Sequence, residues 1–194
     1  MSDMRKELEE ALCKSYPKIL RDRAMFLGFE CDDGWYNILN MACASIQGHI
    51  NQTRAQRARA LRYNRARRRA VTGDVRPLQM HFTYNENATE PSIYGIQEAA
   101  KVLEDIESQY RRVPEACPQV IATQIKEKFG TLRFYYCGGD DYCRGIESMA
   151  ESMSAVTCEV CSSPGKLRHD GWVQTLCDEH AKKTRYEDYG VTHG

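Results

Sequence analysis

The chain predicts an α+β protein. Helices, two of them paired as a hairpin, pack on a small antiparallel β-hairpin or sheet, and a treble-clef-like module closes the C-terminal end. Three observations predict this. Apolar residues recur at helical spacing in three separate stretches. The stretch Gln119 to Cys137 is rich in β-branched and aromatic residues and alternates in polarity. Cys158-x-x-Cys161 is followed, after fifteen residues, by Cys177-x-x-His180.

The first helix is expected over Asp3 to Lys14, where Glu, Lys, Leu and Ala dominate, and Tyr16-Pro17 ends it. Lys18 to Phe29 has no clear period. Asp32-Asp33-Gly34 reads as a helix N-cap. Trp35, Ile38, Leu39, Ala42, Ile46 and Ile50 then form a buried stripe. Beyond Ile50 the stripe stops, but Ala, Arg, Gln and Leu carry helix propensity to about Ala70. This part is expected to project as a solvated basic helix or to fray into a loop. Val71 to Pro91 reads as irregular, with a short strand at Gln79–Tyr84.

Ile96, Ala99, Ala100, Leu103, Ile106 and Tyr110 restore a helical stripe, expected to pair with the helix that begins at Trp35. Gln119–Lys126 and Thr131–Cys137 read as a hairpin turning at Lys128-Phe129-Gly130, with a helical reading of Gln119–Phe129 as the alternative. Leu132, Phe134 and Tyr136 share one face. Ile146, Met149, Ala150 and Met153 form the last helical stripe, with the methionines as core filling. The expected domains are 1–155, carrying an arginine-rich insertion at 51–91, and a metal module at 156–194.

Two Cys/His pairs at this spacing are the ligand pattern of a structural Zn2+ site. Lys166–His169 and Trp172–Leu176 read as short strands joined at Asp170-Gly171, the favoured pair for a two-residue turn. Asp178 to Lys183 reads as a helix start. Such an ion would supply about 10–16 kcal/mol of folding free energy at neutral pH. Four protein ligands leave no open coordination position, so a structural role is expected. His169-Asp170 alone suggests an HNH-like nuclease, and no further His or Asn stands where a second metal would need it.

Nine cysteines in 194 residues are too sparse and too odd in number for a disulfide scaffold. Cys13, Cys31, Cys43, Cys117, Cys137 and Cys143 read as small core hydrophobes. A second metal site built on Cys137 and Cys143 lacks evident further ligands. The N-terminal residues have no signal-peptide character, and no apolar run approaches membrane-spanning length. A reducing cytoplasm is the expected compartment.

Formal net charge is zero, yet eight arginines and no acid fall between Arg54 and Arg69. Removing those eight leaves 19 basic against 27 acidic residues, so the remainder is net negative. On a helical projection Arg54, Arg57, Arg62, Arg65, Arg68 and Arg69 share one side. Lys126, Lys128 and Arg133 on the hairpin, and Lys166, Arg168, Lys182, Lys183 and Arg185 beside the metal module, add to the basic set.

Three segments carry a resemblance: Phe29-Glu30-Cys31-Asp32-Asp33-Gly34-Trp35-Tyr36, the run Gln124-Ile125-Lys126-Glu127-Lys128-Phe129-Gly130-Thr131-Leu132-Arg133-Phe134-Tyr135-Tyr136, and Thr157 to Ala181. Over roughly Tyr16–Ile50 and Pro118–Ala181 the chain resembles a widespread family of bacteriophage and prophage proteins. The resemblance implies a phage gene expressed in the bacterial host cytoplasm; it carries no activity and does not include Arg54–Arg69.

The expected function is non-enzymatic: a zinc-containing phage accessory protein that binds nucleic acid or another polyanion. Eight arginines can neutralise phosphates and release counterions with little sequence preference. The alternative is an anti-defence or host-takeover inhibitor that sequesters a nucleotide signal or binds a host protein. The nuclease stands third. A solvated helix whose charge serves solubility is the plainest account of the arginines.

Overall fold

The computed structural model describes residues 4–20, 26–85, 87–104, 110–169 and 172–182. They form a mixed α+β structure in chain order α1 (Lys6–Ser15), β1 (Phe29–Glu30), α2 (Tyr36–Val71), α3 (Arg76–His81), α4 (Ile93–Glu104), β2 (Ile121–Lys128), β3 (Thr131–Cys137), α5 (Asp141–Ser154), β4 (Lys166–Arg168) and β5 (Gln174–Leu176). Two compact units divide the chain: one of residues 1–50 with 117–194, the other Asn51–Ala116. This division cuts the chain elsewhere than at 155/156.

In the first unit β2 and β3 are antiparallel, and β1 adds in parallel beside β2, with Phe29 opposite Ile125. The hairpin reading of 119–137 is therefore the one observed. Lys128 pairs with Thr131, so Phe129 and Gly130 form a two-residue turn, both at positive φ (54° and 79°). That is the turn geometry that fits strand twist, and Gly130 takes it without a Cβ penalty. Leu132 and Phe134 are fully buried. They share one buried cluster with Trp35 just ahead of α2, with Leu39, Ile46 and Ile50 from its first half, and with Leu12 and Ile19.

Asp32 takes the N-cap position expected of it, but of a 3-10 turn and not of α2 itself. Asp32 makes no capping hydrogen bond, and Asp33–Trp35 is a 3-10 turn ahead of α2. The Asp32-Asp33-Gly34 motif seats the chain around Cys158. Gly34 N–H donates to the Glu159 carbonyl at 2.6 Å, Ser162 Oγ donates to the Gly34 carbonyl at 2.7 Å, and Trp35 Nε1 donates to the Thr157 carbonyl at 2.9 Å. A Cβ on residue 34 would overlap the carbonyl oxygens of Cys158 and Glu159. Asp33 is taken by Arg5, through the backbone N–H at 2.8 Å and the guanidinium.

The second unit revises the reading of 51–116. α2 is a single helix of 36 residues, ending where Gly73 adopts positive φ and Asp74 N–H reaches back to the Arg69 carbonyl at 3.0 Å. Its arginine-rich half is neither frayed nor solvated all round. Tyr63, Ala66 and Ala70 are buried with Leu78 of α3 and Ala99 of α4, and Val75, Phe82, Val102 and Leu103 pack on them. Arg67 is 1% exposed, its guanidinium 5.0 Å from the Tyr110 ring. Asn64 holds the 110–116 stretch, donating to the Arg111 carbonyl at 2.8 Å and accepting from its N–H at 2.9 Å.

The segment Gln79–Tyr84, expected as a strand, is the end of helix α3 followed by the turn after it; Pro77 stands in that helix's first turn. α4 shares a buried cluster with Tyr63, Ala66 and Ala70 of α2, the helix that starts next to Trp35. Its buried positions are Gly95 and Ala99; Ile96 is exposed, and Ile106 lies outside the described residues. Two further expectations are corrected. Cys137 is exposed, whereas Cys31, Cys43, Cys117 and Cys143 are buried as expected. Met149 and Met153 are exposed, because α5 turns Cys143, Ala150 and Ser154 inward.

Candidate metal centre and arginine-lined cleft

The four predicted ligands come together. Cys158 Sγ, Cys161 Sγ, Cys177 Sγ and a ring nitrogen of His180 all lie within 4.8 Å of one another. Cys161 and Cys177 sulfurs are 3.8 Å apart; His180 Nδ1 is 3.2 Å from Cys177 Sγ and 3.7 Å from Cys158 Sγ. Local structure explains the convergence. A turn closes Cys158 to Cys161, with Ser162 N–H on the Cys158 carbonyl at 3.0 Å and Cys158 N–H on the Ser163 carbonyl at 2.7 Å. β5 delivers Cys177, and the helical residues 178–182 place His180 one turn on, tied by Ala181 N–H to the Cys177 carbonyl at 3.0 Å.

Hydrogen bonds from the Ser163 side chain and backbone, followed by those involving the neighbouring cysteines, pull the exposed Cys161 thiol down to about 6. Burial pushes the Cys158 thiol up. A divalent cation offsets the cost of a buried thiolate, since coordination deprotonates the thiol outright. The cluster is thus a site able to hold a metal ion. It is anchored by Gly34 and Trp35 on one side. On the other, Thr175 Oγ1 donates to the Gly130 carbonyl at 2.6 Å, which joins β5 to the β2–β3 turn. The turn expected at Asp170-Gly171 lies outside the described residues, as do Lys183 and Arg185. His169 is exposed and belongs to no ligand cluster among the described residues.

The basic residues fall into two sets, one in each unit. In the second unit, Arg62, Arg65 and Arg69 line a cleft of about 450 Å³ with Ala66, Pro77, Met80 and His81. They stand at i, i+3 and i+7 and so share one helix face. Arg69 is paired with Asp74; Arg62, Arg65 and Arg68 make no ion pair among the described residues. Arg57 donates to the Pro114 carbonyl at 2.9 Å, and Arg54 is exposed.

Sequence reading missed His81. Its ring abuts Tyr63 and Phe82, and Nε2 is buried with no hydrogen-bond partner. Burial first, and then the charges of Arg111, Arg59 and Arg62, push it down to about 4. Only the fold of α3 back onto α2 brings it there.

In the first unit, Lys126 and Lys128 line a second groove with Glu30, Glu127, Phe129 and Trp172. Phe129 and Trp172 are 70% and 68% exposed, unusual for such large apolar rings. Lys128 Nζ lies 5.4 Å from the Phe129 ring centre. Arg133, opposite Lys126 on β3, spends its guanidinium on Glu151 at 3.3 Å and on the Thr131 hydroxyl and the Leu132 carbonyl at 2.8 Å each. Its charge is already answered.

Among known protein families, curated proteins and solved structures, none matches this chain. No helix in the described residues is long and apolar enough to cross a membrane.

Proposed function

We propose that the protein is a non-enzymatic binder of nucleic acid, held in shape at its C-terminal end by a structural zinc ion. The observation that carries the reading is the cleft of Arg62, Arg65, Arg69 and His81. Three guanidinium groups on one helix face offer fork-shaped donors that fit phosphate oxygens. The unpartnered Nε2 of His81 adds a fourth group able to donate once protonated. Arg54, Arg57 and Arg68 extend the same basic helix beyond the cleft. A run of like charges costs self-repulsion, which bound phosphate relieves.

Zinc is favoured by the donor set and by scale. In a tetrahedral site with Zn–S near 2.3 Å, neighbouring sulfurs stand about 3.8 Å apart. The Cys161–Cys177 separation is 3.8 Å. A turn bearing two ligands, a β4–β5 hairpin and a ligand on a following helical turn together make a treble-clef-like module. Its four protein ligands suit it to holding the fold. The resemblance of the 124–136 and 157–181 segments to phage proteins supports a role during infection of a bacterium.

The test is fluorescence anisotropy with single- and double-stranded oligonucleotides across a salt series. Affinity should fall steeply with salt, and the Arg62→Ala/Arg65→Ala/Arg69→Ala variant should bind at least tenfold more weakly, with a salt slope shallower by about 2–3. Binding that ignores both salt and the triple substitution would overturn the reading. The size of the cleft favours one second reading, capture of a free nucleotide, because about 300–1,000 Å³ is the range of small-molecule sites. Mononucleotides that compete with oligonucleotides at equal concentration would select it.

A further inference from the structure

A second group of metal-type ligands lies in the first unit, remote in sequence from the Cys158 cluster. His49, Cys117 and Asp140 place one ligand atom each within 4.8 Å of the others. They come from three separate places: α2, the stretch before β2, and the residue that caps α5. Cys143, in the first turn of α5, sets its sulfur 3.7 Å from that of Cys117. We propose that His49, Cys117 and Asp140 form the core of a second site for a borderline divalent ion of the zinc type, with Cys143, which lies outside that 4.8 Å group, drawn in beside Cys117 as the fourth ligand.

Donor chemistry supports it. Two sulfurs, one imidazole and one carboxylate are the donor types zinc takes from proteins. The 3.7 Å between the two sulfurs is close to the tetrahedral edge of about 3.8 Å. It also nearly equals the Cys161–Cys177 distance of 3.8 Å in the first cluster.

The supporting shell is in place. Asp140 Oδ1 accepts from the Cys143 N–H at 3.2 Å, which fixes the carboxylate and leaves Oδ2 directed at His49 Nε2, 2.8 Å away. The Tyr142 ring stacks on His49 with centres 4.2 Å apart, which fixes the imidazole plane. Among the described residues, no lysine or arginine pairs with Asp140, whose carboxylate is met by His49, the Cys143 N–H and the two thiols. Coordination requires the His49–Asp140 contact to open to about 3.3 Å, the nitrogen–oxygen edge of such a site. Both side chains are partly exposed, 18% and 39%, and have room to do so.

The same residues also admit a purely structural account: a helix cap, a His–Asp hydrogen bond and buried thiols. Cys117→Ala separates the two. Alanine keeps the position small and apolar, and leaves the cap and the His49–Asp140 bond intact. Full-length protein, loaded with zinc and dialysed against metal-free buffer, should hold one ion beyond that of the Cys158 cluster, and Cys117→Ala should hold one fewer than the unsubstituted protein. Cobalt(II) gives the second readout. Added to Cys161→Ser protein, it should still produce sulfur-to-cobalt charge-transfer absorption, and adding Cys117→Ala to that variant should lower it, because one thiolate is lost. His49→Gln should weaken the second ion at least tenfold. Equal metal content in the unsubstituted and Cys117→Ala proteins would overturn the proposal, and that comparison does not depend on the Cys161→Ser protein folding.

Discussion

Gly34 shows how one side chain's absence shapes a whole module. Its N–H and C=O are both used by the turn around Cys158 and Ser162, and a Cβ would collide with backbone that cannot swing away. Gly34→Ala should therefore cost about 1–3 kcal/mol, as overpacking typically does. Thermal melting should detect it, and a colorimetric chelator should strip metal from the variant faster. Unchanged melting would mean that the Cys158 turn is not seated on residue 34. Arg67 is the opposite case, a charged residue used largely for its bulk and its ring contact. Arg67→Ala should destabilise the second unit by about 2–4 kcal/mol through lost packing, while leaving the salt dependence of oligonucleotide binding nearly untouched. A large fall in that salt slope would instead assign Arg67 to the phosphate-binding face.

At the scale of elements, α2 does two jobs along one axis. Its first half presents a broad apolar stripe to the sheet. Its second half buries Ala60, Tyr63, Ala66 and Ala70 with Asn64 and Arg67; the alanines let α3 and α4 approach while exposed arginines fill the remaining arc. That approach brings His81 of α3 beside the arginines. Because its pKa is held near 4 in the folded chain, against about 6.5 unfolded, the unfolded state binds more protons between those values. The stabilising contribution of neutral His81 is thus complete above about pH 6.5 and is lost as pH falls toward 4. Melting followed across that window should show a decline that His81→Phe flattens. A bound phosphate reverses the preference by favouring the imidazolium. Saturating anion should therefore move the His81 titration upward in histidine-resolved NMR; a titration that stays fixed argues against anions in the cleft.

For the whole molecule, the Cys/His cluster and the arginine cleft belong to different units and are separately testable. Zinc binding of the proposed kind contributes roughly 10–16 kcal/mol. A chelator should therefore release the 157–182 segment and let water reach Trp35, whose indole N–H is tied to the Thr157 carbonyl. A red shift of tryptophan emission together with a lower melting temperature is the expected outcome. If neither changes when the metal is removed, packing alone holds that end of the chain.

The sequence by itself determined the elements whose signal is local. The Cys/His spacing, the alternation in Thr131–Cys137, and the helical stripe from Trp35 to Ile50 each report the chain's own period and turn chemistry. Only the tertiary structure decided matters that depend on what lies opposite. The alanines and Tyr63 among the arginines look like a weak helix until α3 and α4 cover them. Gly34 looks like part of a cap until Cys158 arrives, far along the chain. Met149 and Met153 look like core until the sheet meets the other side of α5. His49, Cys117 and Asp140 share no spacing at all. Burial and ligation are properties of pairs of surfaces, and a period along one strand or helix specifies only one member of each pair.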